Sequence, residues 1–279
     1  MKEQLLLKSY LKTLRLPAIS AHYEEVIRDA MRSNLNYEEF LLALVSIEVN
    51  QRDINRRTRL IRRAGFPLKK LLSEYRFSAI AGLNERQILQ LAGCEYIARK
   101  ENIIFIGDGG TGKTHLSIGL GIGACEKDYE TGFYSVAGLI NQMLESRTES
   151  RLTRLIKKIS RLDLLILDEL GYLPIDKEGG HLLFEALSER HEKGSTIITS
   201  NLAFSDWGEV FPSDRAAGAL IDRLTHHCHI IEMYGDSYRF KEGLSRRGPS
   251  SESDEEKKRP KNEPPQNEEK PENETPNLK

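Results

Sequence analysis

The residues that most clearly invite chemistry are 107–114, which read G-D-G-G-T-G-K-T. Glycines permit a tight turn whose successive main-chain N–H groups face inward, a nest suited to phosphate oxygens. A helix over about 113–127 is expected to follow, and its N-terminus adds partial positive charge at the same place. Lys113 would then reach the β- and γ-phosphates of a nucleotide, and the Thr114 hydroxyl would ligate Mg²⁺. The expected nucleotide-binding residues are therefore Gly107, Asp108, Gly109, Gly110, Thr111, Gly112, Lys113, Thr114 and the adjoining His115. By chance the pattern occurs in roughly one chain per hundred of this length.

Some fifty residues on, 164–169 reads LLILDE. An apolar strand ending in two acids exposes carboxylates at the carboxyl edge of a sheet, where ligands bind in α/β folds. Asp168 would hold Mg²⁺ through water, and Glu169 would orient and polarise an attacking water. A third run, TIITSN at 196–201, puts Asn201 just after a buried strand. Its amide could hydrogen-bond the γ-phosphate or the water, or serve as a plain turn residue. The chemistry these groups suit is hydrolysis of a nucleoside triphosphate.

Such groups must be held by a sheet. From residue 102 short apolar runs alternate with helical stretches: IIFI at 103–106, FYSV at 133–136, LLIL at 164–167, TIIT at 196–199 and HIIEMY at 229–234. Alternation of this kind predicts an α/β fold with a five-stranded, mostly parallel sheet covered by helices. Residues 79–101 hold a further helix, with Asn84 and Gln87 at capping-box spacing.

Residues 1–78 read as a small all-helical domain. Leu5, Leu7, Leu11 and Leu14 predict a first helix stopped by Pro17, and Tyr23, Val26, Ile27, Ala30 and Met31 a second. A third runs from the capping box of Asn36 and Glu39 to Gly65 and Pro67. Leu44, Ile47, Ile54 and Ile61 form its apolar stripe. Arg52, Arg56, Arg59 and Arg63 lie about half a turn away, with Arg57 and Arg62 widening the patch. Guanidinium groups one turn apart can reach successive phosphates of a duplex backbone. A solvated basic face, or a dock for an acidic partner, is the alternative. Few aromatic residues interleave, which disfavours stacking on single-stranded bases.

The net charge of −1 hides this asymmetry: residues 50–76 carry nine Lys and Arg against two acids, whereas 248–279 are acidic overall. Residues 247–279, rich in Glu, Lys, Pro, Asn and Ser, bury too little apolar surface to offset chain entropy and are expected to be disordered. Three scattered cysteines suggest no disulfide framework, and no apolar run approaches the ~18 residues of a membrane span. A cytoplasmic protein without membrane contact is expected. His226, His227, Cys228 and His229 are consecutive and point in different directions, which does not suit a single metal ion. Trp207 reads as a packing anchor.

The order of P-loop, Asp–Glu strand and Asn201 resembles the AAA+ ATPases. GTGKTHL at 110–116, LLILDELGYLP at 164–174, TSN at 199–201, ALIDRLTHH at 219–227 and GDSYR at 235–239 resemble the IstB family. Its members are helper ATPases of a class of insertion sequences, related to the DnaC replicative helicase loaders. The resemblance spans roughly residues 1–245 and implies a P-loop AAA+ core at 79–246. It also implies an ATP-dependent homo-oligomer that binds and bends duplex DNA and recruits or stimulates a cognate transposase. By match to the DRL phrase, Arg223 would be an arginine finger reaching a neighbour's nucleotide. Arg239, in SYR, would contact nucleotide in its own subunit. A surface or ion-pair role is the alternative for both arginines.

Two other readings of the whole chain are a helicase loader acting on single-stranded DNA and an architectural DNA-binding protein without hydrolysis. Intact Lys113, Asp168 and Glu169 argue against the second.

Overall fold

Three helices open the chain, and each boundary has a local cause. α1 (Lys2–Thr13) gives way to α2 (Pro17–Ser33), where Pro17 is the first helical residue. A fixed φ and a missing N–H suit that position. The first helix ends before the expected proline stop: Arg15 turns left-handed, with φ +56°, and the Leu16 N–H donates back to the Leu11 carbonyl at 2.9 Å, so Pro17 starts the second helix only. α3 (Tyr37–Ala64) begins with a complete capping box: Asn36 Oδ1 accepts the Glu39 N–H, and Glu39 Oε2 accepts the Asn36 N–H, both at 2.9 Å. It stops at Gly65, whose φ of +80° suits glycine. Leu11, Ile19 and Tyr23 form a small core with Leu44 beside them. The buried Glu48 ties α3 to the start of α2, accepting the Ala18 and Ile19 N–H groups at 2.9 and 3.2 Å. Contrary to the stripe expected on α3, Ile54 is exposed. Glu48 marks where α2 begins alongside α3, and Ile54 lies beyond the reach of α2.

The structure is a computed structural model, and it describes residues 2–146, 149–211 and 214–235. Those residues belong to one compact unit. After α3 come two 3₁₀ turns, Leu72–Glu74 and Phe77–Ala79, then α4 (Glu85–Leu91) and α5 (Glu95–Ala98). The Asn84 side chain caps α4 by accepting the Gln87 N–H at 3.2 Å.

The rest alternates: β1 (Asn102–Gly107), α6 (Lys113–Glu126), β2 (Thr131–Ser135), α7 (Val136–Glu145), α8 (Glu149–Ser160), β3 (Leu164–Leu170), α9 (Lys177–Arg190), β4 (Ser195–Ser200), α10 (Asp214–Thr225) and β5 (Cys228–Met233). The strands form one sheet in the order β2-β3-β4-β1-β5, and every neighbouring pair is parallel. Successive strand residues point to opposite faces. Ile103, Phe105, Leu164, Ile166 and Ile197 pack on one side with Leu116 and Leu120 of α6 and Ile88 and Ile97. Ile104, Ile106, Leu165, Leu167 and Ile198 pack on the other with Leu139 of α7, Leu183 of α9 and Trp207. Burial on both faces explains the continuous apolar runs seen in the sequence. Because all five strands run the same way, the segments that leave β1, β3 and β4 emerge at one edge.

Among the described residues, no helix is long and apolar enough to cross a membrane. The segment 247–279 and Arg239 lie outside the described residues.

Candidate nucleotide-binding site

The 107–114 segment connects β1 to α6 in the expected place. Gly107, with φ +143°, ends β1 against β5, and a Cβ there would sit 2.0 Å from the Met233 carbonyl oxygen. Gly112, with φ +93°, precedes α6, and a Cβ would come within 2.7 Å of the Tyr75 ring. Gly109 is different, since nothing lies within 4 Å of a Cβ built there. Two bonds fix the intervening loop. Thr111 Oγ1 donates to the Asp108 carbonyl at 2.9 Å, and Asp108 Oδ2 accepts the Gly235 N–H at 3.0 Å.

Lys113 is the first residue of α6 and is largely buried. Its Nζ donates to the Gly107 and Asp108 carbonyls, at 2.7 Å each, so the ammonium lies across the loop itself. Thr114 Oγ1 donates to Asp168 Oδ1 at 3.0 Å. Asp168 is buried near the end of β3, and Glu169 beside it is exposed. A hydroxyl and a buried carboxylate meeting at hydrogen-bond distance form an all-oxygen donor set, the chemistry that Mg²⁺ takes. Asn201 is exposed immediately after β4. A cleft of about 530 Å³ lies next to Glu169, lined by residues of α7 and the loop after β3, including Tyr172 and Leu173; no residue of 107–114 lines it.

The structure adds a strap that the sequence did not announce. Residues 71–77 cross the start of α6. Tyr75 Oη donates to the Thr111 carbonyl at 3.1 Å, and the His115 Nε2 lies 2.9 Å from the Leu71 carbonyl. The Tyr75 ring meets His115 edge-on, at 5.3 Å between centroids. Burial pushes the Tyr75 hydroxyl up to about 12, so it stays protonated and able to donate at neutral pH. His115 thus faces the strap. Close glycine packing at Gly112 and Gly119, which touch Tyr75 and Leu72, is a sequence trace too weak to read in advance.

Arg223 lies on α10. It donates through Nη1 to Ser188 Oγ at 2.9 Å, with its guanidinium 5.9 Å from the Phe184 ring. Both partners are on α9 of the same chain.

The arginine face of α3 is divided. Arg52 is committed to the helical hairpin: Nε donates to Glu48 Oε1 at 3.0 Å and Nη2 to the Arg15 carbonyl at 2.7 Å. Arg56 and Arg57 reach Asp128, which follows α6, at 2.5 and 3.8 Å. Arg59 bonds the Asn55 carbonyl of its own helix at 3.3 Å. Arg59, Arg62 and Arg63 are exposed along the last turns.

Among known proteins, the family model for IstB-like ATP binding protein matches residues 9–245. The protein assigned to ATP binding in insertion sequence IS232 of Bacillus thuringiensis subsp. berliner is 35% identical over 240 residues, covering 86% of this chain and 96% of the relative. Its counterpart in IS21 of Pseudomonas aeruginosa is 37% identical over 236 residues, 85% of this chain and 89% of the relative. The fold is shared with AMPPCP-bound DnaA from Aquifex aeolicus, at a TM-score of 0.50 and 23% identity, over 65% of this chain and 56% of that one. The sheet and helices are therefore those of a P-loop AAA+ domain, and the chain belongs to the IstB-like ATP-binding protein family.

Proposed function

We propose that the protein hydrolyses ATP and acts as the DNA-remodelling helper of a transposase. The observation that carries the hydrolytic part is the hydrogen bond between Thr114 and Asp168, which puts the P-loop helix against the strand that presents Glu169. The main-chain nest of 107–112 would receive the phosphates, with His115 at its rim. Lys113 would exchange its two carbonyl partners for β- and γ-phosphate oxygens. When bound through Thr114 and Asp168, Mg²⁺ would neutralise phosphate charge. Glu169 would polarise the attacking water, and Asn201 would orient it or the γ-phosphate. Arg223 would leave Ser188 to reach a neighbouring subunit's nucleotide and offset charge developing in the transition state. Arg239 would touch nucleotide in its own subunit.

Residues 79–246 would form the ATPase domain and 1–78 the part that binds DNA and supports self-association. Leu41, Leu42, Val45 and Val49 are exposed on α3 and give that part apolar surface to bury in an oligomer. Arg59, Arg62 and Arg63 would meet duplex phosphates directly, joined by Arg56 and Arg57 on release from Asp128, while Arg52 keeps its hold on Glu48. Membership of relatives in insertion sequences supports a transposase as the client. The free thiols of Cys94, Cys125 and Cys228 fit a cytoplasmic setting.

Phosphate release measured with and without a duplex of ~50 base pairs tests this reading, since such a length lets several subunits and many phosphates engage at once. Turnover should vanish in Lys113→Ala. Glu169→Gln should retain nucleotide, lose hydrolysis and accumulate as an oligomer on DNA. Unchanged turnover in Lys113→Ala, or a clear preference for single-stranded over duplex oligonucleotides, would contradict it.

A further inference from the structure

Glu169 has a φ of +65°, a region that residues with a Cβ rarely occupy. It sits where β3 loses register with β4. Pairing runs to Leu167 opposite Ile198 and resumes with Leu170 opposite Ser200. Asp168 and Glu169 therefore share a single opposite residue, Thr199. Two residues against one is a bulge, and a bulge interrupts the main-chain ladder.

The Thr199 side chain fills the interruption. Its hydroxyl accepts the Glu169 N–H at 2.9 Å and donates to Asp168 Oδ1 at 2.6 Å. A hydroxyl has one proton to give, and here it goes to the carboxylate. The same Oδ1 accepts the Thr114 hydroxyl from α6. Thr199 is 2% exposed, so water does not readily substitute for its hydroxyl. One buried oxygen thus fixes the main chain of one acid and the carboxylate of the other.

We propose that Thr199 is a positioning residue for hydrolysis: its hydroxyl locks the bulge so that Glu169 and Asp168 keep one mutual geometry. This rests on the ATPase reading above and goes beyond it, because a threonine that touches no nucleotide would set the rate. The hydroxyl and not the methyl group carries the role, since both bonds run through Oγ1.

Three variants separate the possibilities. Thr199→Val removes the hydroxyl at nearly constant shape, Thr199→Ala removes hydroxyl and methyl, and Thr199→Ser keeps the hydroxyl. Each is compared with wild type for steady-state ATP turnover and for ADP affinity by calorimetry. Thr199→Val and Thr199→Ala should lose turnover by about 10- to 100-fold, within the range of a misplaced general base. Their ADP affinity should stay within about threefold, and Thr199→Ser should turn over within about threefold of wild type. Should Thr199→Val fail to fold, Thr199→Ala and Thr199→Ser carry the same comparison. Wild-type rates in Thr199→Val or Thr199→Ala would overturn the proposal. So would equal losses of turnover and ADP affinity, or a Thr199→Ser variant as impaired as Thr199→Val. A wild-type protein that binds ATP without turnover would instead sink the hydrolytic reading itself.

Discussion

Arg56 Nη2 lies 2.5 Å from Asp128 Oδ2, joining two residues 72 positions apart in the chain. Asp128 lies just past Lys127, which caps the end of α6, so the arginine face of α3 is anchored to one end of the helix whose other end carries Lys113 and Thr114. At that other end the strap holds on through Tyr75 and Leu71. The segment from α3 to the strap therefore grips both ends of the P-loop helix, which ties the exposed arginines of α3 mechanically to the 107–114 loop.

If the proposed duplex contact holds, Asp128 competes with phosphate for Arg56 and Arg57. Both arginines are about half exposed, so the pair is worth at most about 1 kcal/mol. Asp128→Asn should tighten duplex binding by about two- to fivefold at low salt, measured by fluorescence anisotropy. Replacing Arg59, Arg62 and Arg63 by alanine should weaken it and flatten the dependence of log K on log salt by about 0.9 for each phosphate no longer neutralised. Unchanged binding in the triple variant would remove α3 from the DNA interface.

The glycines of 107–112 should not behave alike. A Cβ at Gly107 meets main chain of β5 and a strained φ, whereas one at Gly109 meets open space. Gly109→Ala should retain stability and nucleotide affinity within about threefold, and Gly107→Ala should destabilise by more than about 2 kcal/mol in urea unfolding. Equal effects would mean that the loop, not its approach to Met233, makes the demand.

Arg190 is 1% exposed. Its guanidinium donates to the Ile159, Leu162 and Ser195 carbonyls and to Thr196 Oγ1. Burial lowers its pKa to about 10, so the group stays charged at neutral pH. It stitches the ends of α8 and α9 to the start of β4. Arg190→Met orphans those acceptors and should cost about 3–5 kcal/mol by chemical denaturation. A loss below about 1 kcal/mol would show that the carbonyls find other partners.

Glu48 gives stability a pH dependence. Burial alone would raise its pKa, but the N–H groups of Ile19 and Ala18 and the Arg52 guanidinium outweigh it, and the folded value falls below the ordinary 4.5. The unfolded chain then takes up a proton first as pH falls. The contribution is complete above about 4.5 and disappears as pH drops through the folded value. Glu48→Gln should lower the urea midpoint at pH 7, and the gap from wild type should narrow towards pH 3. A gap independent of pH would show that the charge of Glu48 contributes nothing.

The sheet and the P-loop were legible because each is a local pattern: apolar runs of strand length, glycines before a lysine, two acids ending a strand. The capping box at Asn36 was legible for the same reason. Ile54 misled because helical periodicity says which residues share a face but not how far the neighbouring helix extends. The arginine stripe was visible, yet its division was not, since Glu48 lies inside the hairpin and Asp128 comes near α3 only once the chain has folded. Thr199 shows the limit most sharply. Its role depends on β4 lying beside β3 with a one-residue slip, and strand order leaves no mark on a single sequence.

Titration calorimetry of wild type and Lys113→Ala with ATP analogue and Mg²⁺, at subunit concentrations that permit self-association, shows whether residues 107–114 capture a nucleotide. Wild type should bind saturably, more tightly with Mg²⁺, and Lys113→Ala should lose that binding. Folded wild-type protein that takes up no adenine nucleotide would contradict nucleotide capture by this loop.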